Sequence, residues 1–599
     1  MVWYVCFTVA AVLFAVSVLI SLLRLKAKYK SGSPWTPLYI LFGGVIASAL
    51  TLFIPLYMAA FKGNGCGTFE AVAIAIHNVI RLFIVDVDFD FVSSTLPSLN
   101  QTLFRCYTVL FSVLFVVAPF LTFGFVLSFF KNVSEKLRYW AHFNSEVYIF
   151  SELNDKSLAL ATSIYNNDPK KRFIVFTDVF ETEEERSYEL IESAKELGAV
   201  CFKKDIVSLN FSYHSKKSDI KFFVIGADQS ENITQALKIV EKMKYRDNTH
   251  LYVFSTCVES EMLLANAFSN RDEDIKIKVR RVNEVQSLIL RNLYDKGFEA
   301  IFESAYDNGT EEKEINAVVI GMGQHGTEMT KALAWFCQMT GYSVKIDSFD
   351  KQKDADKRFT ALCPELMAFS GKLDIDGEAK YTVNIHSNID VDSIDFEKEI
   401  LKIPRTTYAF IALGNDEKNV STAVKLRCLF ERLGNTPVIQ AVVYNSDKKE
   451  ALSDISNFKG QKYRIDFIGD MKTSYSEKVI LDSEVENDAL KRHLKWGDER
   501  EFWQFDYNYK SSVASAIHYK MKVKCRVPGI EKLPSDRTED ELWPLRILEH
   551  RRWNAYMRSE GYVYSGSVEK SSRNDLAKMH HCLVPFDMLS EQDKAKDDD

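Results

Sequence analysis

The chain has 599 residues, a formal net charge of −7 and ten cysteines. That length holds three or more domains, and the negative balance lacks the basic footprint of a nucleic-acid binder, so no nucleic-acid partner is expected. The cysteines form no C-x-x-C pair, and the seven from Cys201 onward read as reduced core residues of cytosolic domains.

Apolar residues concentrate at the start of the chain. Met1 to Leu23, Ser31 to Phe61 and Cys106 to Phe130 each lack a charged side chain, and each is long enough to cross a bilayer, which takes about 20 residues. The first run is too long for a signal-peptide core, and no small-residue cleavage site follows it. Arg24, Lys26, Lys28 and Lys30 follow the first run; Lys131, Lys136 and Arg138 follow the third. The positive-inside tendency puts both stretches in the cytoplasm, with the N-terminus outside and everything after residue 131 inside. Residues 1–131 are therefore expected to be a three-span, multi-pass segment whose partner is the lipid bilayer.

Ala71 to Val85 is apolar but short and contains His77 and Arg81. It reads as an interfacial or re-entrant helix on the outer side. In the following Val85 to Phe91, alternation places Asp86, Asp88 and Asp90 on one face of an extended segment. In an oligomer they would form an acidic ring at a pore mouth; in the simpler alternative they are a solvated loop. No T-x-G-Y-G potassium filter is present.

A linker, 132–144, leads to a first α/β domain, 145–300. Its expected strands are 146–150, 172–177, 199–202, 220–225 and 250–254, with helices between them. Such alternation implies a parallel, doubly wound sheet. The first turn, Ser151-Glu152-Leu153-Asn154, has no glycine, so this copy is read as degenerate. A second domain, 313–455, begins with the strand Ala317 to Ile320 and the G-x-G-x-x-G turn Gly321, Gly323, Gly326. The spacing supplies a tight turn, close backbone approach to a phosphate and close helix–strand packing. The helix is expected to start at Thr327 and run to Thr340. Backbone N–H groups around Gln324 and His325 would face an anion, and Asp350, closing the strand Tyr342 to Phe349, would hold a ribose.

The two domains share an internal repeat. Phe222 to Ile225, Gly226-Ala227-Asp228 and Asn232 recur as Ala409 to Leu413, Gly414-Asn415-Asp416 and Asn419. A membrane segment followed by this tandem resembles the regulator-of-potassium-conductance (TrkA-N-like) family. The resemblance implies a nucleotide or dinucleotide ligand (NAD, ATP or a cyclic signal nucleotide) held by Gly321, Gly323, Gly326, Asp350, Gly414 and Asp416 of the second copy.

Residues 456–535 read as a connecting α/β segment, with a strand at 463–468, a helix from about Ser474 to Leu494 and another ending at Lys522. The tail, 540–599, carries Glu549-His550-Arg551-Arg552-Trp553, Gly561-Tyr562-Val563-Tyr564 and Leu583-Val584-Pro585-Phe586. These motifs closely resemble the ryanodine-receptor-type repeat domain in its prokaryotic form. Trp553, Tyr562, Tyr564 and Phe586 suggest an aromatic pocket, with His550, Arg551 and Arg552 pairing an anionic ligand; the alternative is an ordinary core. His580, His581 and Cys582 are adjacent, but no further ligands sit at helix or finger spacing, so no metal is expected.

The fold class expected is an α-helical membrane segment, tandem Rossmann-like sheets and a small, mainly helical C-terminal domain. No catalytic motif is present, so no enzyme is expected. The architecture points to a nucleotide-gated homo-oligomer in a bacterial inner membrane, acting as a channel or as the membrane-permeabilising effector of a nucleotide-signalling antiviral defence system. The alternatives are a housekeeping channel or transport regulator controlled by NAD or ATP, and a scaffold that binds nothing.

Overall fold

The computed structural model describes all residues except 1, 27–35, 62–66, 88–100, 130–137, 140, 143, 170, 181–184, 211–214, 216, 257–259, 261–262, 265–274, 373–377, 454–456, 459–460, 482 and 599. The chain divides into two compact units, Met1–Tyr139 and Trp140–Asp599.

The first unit is helical: α1 (Val2–Lys26), α2 (Thr36–Phe61), α3 (Thr68–Phe83) and α4 (Gln101–Phe129). Three stretches within it, Val2–Ser21, Leu38–Ala60 and Gln101–Gly124, are long and apolar enough to cross a membrane. Helix α3 differs. Its 16 residues span only about 24 Å, and Ala71, Ala75, Asn78, Val79 and Leu82 form one buried stripe at helical spacing. Glu70 Oε2 accepts the Gly67 N–H at 2.9 Å and so caps its start. Leu52, Phe53, Leu56, Phe111 and Leu114 make the core of this unit, and Tyr107 donates its hydroxyl to the Trp3 carbonyl at 3.1 Å. Of the proposed acidic face only Asp86 is placed, paired with Arg81 at 3.1 Å; Asp88 and Asp90 lie outside the described residues, as does most of the 132–144 linker.

The second unit holds two six-stranded parallel sheets. The first contains β1 (Glu146–Phe150), β2 (Arg172–Phe176), β3 (Val200–Cys201), β4 (Ile220–Val224), β5 (Thr249–Phe254) and β6 (Lys278–Val282), in the order β3-β2-β1-β4-β5-β6. The second contains β7 (Lys313–Ile320), β8 (Tyr342–Phe349), β9 (Thr382–His386), β10 (Tyr408–Ile411), β11 (Val438–Val442) and, after the small hairpin β12 (Asn457–Phe458) and β13 (Gln461–Lys462), β14 (Ile465–Ile468). Its order is β14-β11-β10-β7-β8-β9. Each sheet therefore reverses direction beside its first strand, and that switch point is where such folds open a crevice at their strands' carboxyl ends. Val147 to Phe150 and Val318 to Ile320 are buried without alternation, because helices cover both faces.

Several expectations need correction. The first sheet has a sixth strand, β6, that the sequence reading lacked, and β9 of the second sheet was also missed; β14 matches the strand expected at 463–468 but was assigned to the connector rather than to the second sheet. Because β14 pairs with β11, the second sheet extends past residue 455 into the presumed connector. The helix after the glycine turn starts at Gln324, not Thr327, and ends at Phe336. The expected helix from Ser474 to Leu494 is interrupted: Met471–Ser474, Glu477–Ile480 and Glu484–His493 are separate, restarted at Ser476 and Ser483. Continuing the chain, Glu499–Gln504 and Asp506–Lys524 are helical.

The C-terminal helix Glu539–Ser559 opens with a Thr538/Glu541 capping box and shares one core with the second sheet. Trp335 of the glycine-turn helix meets Tyr556 with ring centroids 6.1 Å apart. Lys331 on that same helix pairs with Glu560 at 3.3 Å, and Arg558 with Glu378 at 2.7 Å. His518, on Asp506–Lys524, is fully buried with Nε2 2.5 Å from the Gln338 carbonyl.

Burial pushes His250 and His518 down to about 4, below the ordinary value near 6.5. The unfolded chain therefore takes up protons at a higher pH than the folded chain does. Stability conferred by these neutral rings is full above about pH 6.5 and is lost progressively down to about pH 4. Urea midpoints of the full chain are expected to fall steadily across that window; a flat profile would contradict the burial.

Candidate functional site

The three glycines of the turn do three different things. Gly321 has φ +89, and a Cβ there would lie 2.5 Å from the Ala412 carbonyl oxygen. A Cβ on Gly326 would lie 1.7 Å from the Gly321 carbonyl oxygen. Gly323 is extended, with φ −70 and ψ −165, and a Cβ there would meet nothing within 4 Å. Gly323 is also the N-cap of Gln324–Phe336 and offers no side-chain hydrogen bond. The first turn of this helix, with Gln324 and His325, thus opens onto free space with its N–H dipoles uncapped, the arrangement that favours an anion.

The acids are more structural than the spacing suggested. Asp350 Oδ2 accepts the Met322 N–H at 2.6 Å and Oδ1 the Gln352 N–H at 2.7 Å. It ties the end of β8 to the glycine turn before any ribose is considered. Asp416 accepts the Tyr444 and Asn445 N–H groups, each at 3.0 Å, and so positions the loop after β11. Gly414, at φ +77, faces open space above a shallow basin of about 680 Å³ that Asp416 and Tyr444 also line.

Gln324 and His325 line a cavity of about 390 Å³, and so do Lys156, Gln229 and Thr256 of the first copy. The turn of the second copy therefore faces the crevice of the first. Tyr444 and Tyr475 complete the lining with aromatic rings; Tyr444 places its hydroxyl 3.4 Å from His325 Nδ1. Burial lowers the His325 pKa, disfavouring the charged ring. Lys156 is paired with Glu284 at 2.7 Å, so an anionic ligand would have to compete for it. Nothing in the sequence signalled Lys156, Gln229, Thr256 or Tyr444, because tertiary packing alone brings them together.

In the first copy the corresponding turn is closed by its own side chains. Glu152 Oε2 accepts the Ala227 N–H at 3.0 Å, and Ser151 Oγ accepts the Ile225 N–H at 2.9 Å. A carboxylate stands where a phosphate would need to approach. The repeated asparagine is a clamp in both copies. Asn232 Nδ2 donates to the Phe254 carbonyl at 3.0 Å while its Oδ1 accepts from Gly226 at 2.9 Å. Asn419 does the same to Val442 and from Leu413, both at 2.7 Å.

The C-terminal aromatic and basic residues are engaged in packing contacts. His550 Nε2 lies 2.8 Å from the Val584 carbonyl, and its ring packs on Phe586, centroids 5.7 Å apart. Arg552 donates to Glu549 at 2.7 Å. Trp553 sets its edge against His580 at 4.9 Å. Tyr562 is buried against Tyr507. The Tyr564 backbone N–H donates to Glu365 at 2.7 Å. Arg551, half-buried on the same helix, belongs to this packed module. These contacts favour the core alternative that the sequence left open, because Trp, His and Phe have the same spacing on a packed helix as around a ligand.

No family model matches the chain, and no curated protein matches it. Among solved structures, one dipicolinate synthase polypeptide from Bacillus halodurans is similar over 56% of this chain and 95% of its own, at 8% identity and a TM-score of 0.19. The fold itself defines the class: tandem Rossmann-like domains, of the kind that generally bind nucleotides, on a chain with three helices able to cross a membrane.

Proposed function

We propose that this protein is a nucleotide-gated, oligomeric membrane protein whose ligand binds at the Gly323–His325 helix start. The ligand's phosphates sit on the uncapped N–H groups, and the remainder enters the cavity shared by the two Rossmann copies. The observation that supports this most directly is the uncapped helix start opening on free space at Gly323. Tyr444 and Tyr475 offer ring faces to a base. Three spans per protomer are too few to enclose a pore, so a homo-oligomer carries the conducting path. A ligand shifts gating only if it binds one state more tightly than the other; a cavity between two domains provides that, because its shape changes when they move. The joining of a membrane segment to Rossmann-like domains suggests the broader role by analogy: permeabilising the membrane when a signal nucleotide appears. The C-terminal module braces the glycine-turn helix through Lys331 and Glu560 in this reading.

Gly323→Asp tests it. Aspartate is a favoured N-cap in this backbone conformation, so the fold is retained or slightly stabilised. Its carboxylate repels an anion at the helix start, where such charge effects reach 1–2 kcal/mol, or about tenfold or more in affinity. Small molecules co-purifying with the chain, and ion flux from liposomes on adding them, are expected to disappear in this variant. Retention of the same ligand at the same affinity would exclude this site, and flux without nucleotide would exclude gating by it.

A further inference from the structure

The end of the chain holds a cluster that the nucleotide site does not use. Strand Met579–His580 pairs with Val563–Tyr564, and the turn that follows gathers His580, His581 and Cys582. One ligand atom from each lies within 4.8 Å of the others. The two imidazoles stack, centroids 4.7 Å apart and planes inclined by 13°.

His581 is the telling residue. It is 4% exposed, and neither Nδ1 nor Nε2 has a hydrogen-bond partner. A neutral imidazole carries one donor and one acceptor, and burying both unpaired is unfavourable. Other buried histidines keep at least one nitrogen bonded: His550 to the Val584 carbonyl, His518 to the Gln338 carbonyl and His493 to the Ser512 hydroxyl. His580 Nδ1 accepts the Cys582 N–H at 3.1 Å, which fixes its ring over that of His581. A metal taking this lone pair would replace that backbone bond.

We propose that His580, His581 and Cys582 form a zinc site, with water in the fourth position. Two imidazoles and a thiolate are the donor set that a borderline-soft, tetrahedral ion prefers. Asp593, on the following turn, is held by Ser590 Oγ at 2.7 Å and Lys596 at 2.6 Å and acts electrostatically on all three residues. On binding, a sulfur–metal bond forms and the thiol proton passes to solvent; no electron is transferred. The ion staples the turn that leads into the last short elements, the 3₁₀ turn Phe586–Met588 and the four-residue helix Glu591–Lys594, and so adds to the Arg546–Asp598 and His550–Asp597 pairs that tie this stretch to the C-terminal helix. This inference does not depend on the nucleotide reading.

The test uses the full chain purified in detergent without added metal. Elemental analysis is expected to find about one zinc per chain, as for a structural site, and to find it lost in His581→Ala and Cys582→Ser. Replacement by cobalt(II) is expected to give a thiolate charge-transfer absorbance that Cys582→Ser abolishes, and to quench Trp553, whose ring touches His580. Cys582→Ser is close to isosteric, so with chelator present it should melt with the chelated parent; this separates metal loss from misfolding. A chain that carries no zinc and takes up no cobalt overturns the proposal. So does zinc that persists unchanged in both variants, because the ion is then held elsewhere.

Discussion

Replacing Arg558 by methionine is expected to destabilise the second unit by about 3–5 kcal/mol, the usual result of removing one partner from a buried ion pair. Arg558 is fully buried, and its fork donates to Glu378 at 2.7 and 3.2 Å. The guanidinium also lies 3.7 Å from the centre of the Phe369 ring. Glu378 is 1% exposed. Methionine fills part of the volume but leaves that carboxylate desolvated and unpaired, which is far less favourable than losing the pair's net attraction. The double variant Arg558→Met, Glu378→Gln removes both charges and is expected to recover most of the loss. Denaturant midpoints for the four chains of this cycle give the coupling directly. If the double variant is as unstable as the sum of the two single ones, the pair is not the reason. Because Arg558 sits near the end of the C-terminal helix and Glu378 just before β9, the same variant is expected to loosen the C-terminal module from the second sheet.

That docking was invisible in the sequence, and the reason is general for this chain. The glycine spacing and the uninterrupted apolar strands were legible because local sterics and burial on both faces dictate them. Strand β6 was not: it reads Lys278-Val279-Arg280-Arg281-Val282, which is far from an apolar run. Its arginines are buried only because Glu486 and Asp506, some 200 residues later, arrive to pair them. Strand β9 hides in the same way, since Asn384 and His386 bond the buried Asp347 at 3.0 and 2.9 Å. The positions of Asp350 and Asp416 were legible, but their partners were not. A carboxylate placed for a ribose and one placed for two backbone N–H groups look identical in a motif. The cavity at His325 depends on seven separate segments meeting, and no local pattern encodes that. At the C-terminus the sequence left a pocket and a core both open, because spacing alone does not say whether packing partners will claim the side chains, as Val584 and Phe586 do for His550.

Gly326→Ala is the sharpest test of the turn, and its expected outcome is loss of the second Rossmann domain's native packing. The added Cβ would sit 1.7 Å from the Gly321 carbonyl oxygen and 2.9 Å from its carbonyl carbon. Both are backbone atoms, so no side chain can swing aside. Gly321 cannot yield either: its N–H is bonded to Phe349 at 2.9 Å, and its α-carbon already faces the Ala412 carbonyl. The helix must therefore move away from the ends of β7, β8 and β10. That movement breaks the Thr330–Ser348 hydroxyl contact of 2.9 Å and draws Lys331 from Glu560. Overpacking of this kind costs about 3 kcal/mol or more when the obstruction is rigid. Gly323→Ala provides the control, because its Cβ meets nothing within 4 Å and its φ of −70 suits any residue. The two alanine variants should thus differ sharply in denaturation midpoint although they lie three residues apart. With Gly323→Asp they form a graded set: Gly326→Ala loses fold and ligand together, Gly323→Asp loses ligand alone, and Gly323→Ala keeps the fold. A stable Gly326→Ala beside an unstable Gly323→Ala would mean that the helix start is placed differently from the geometry described, and the anion site would fall with it.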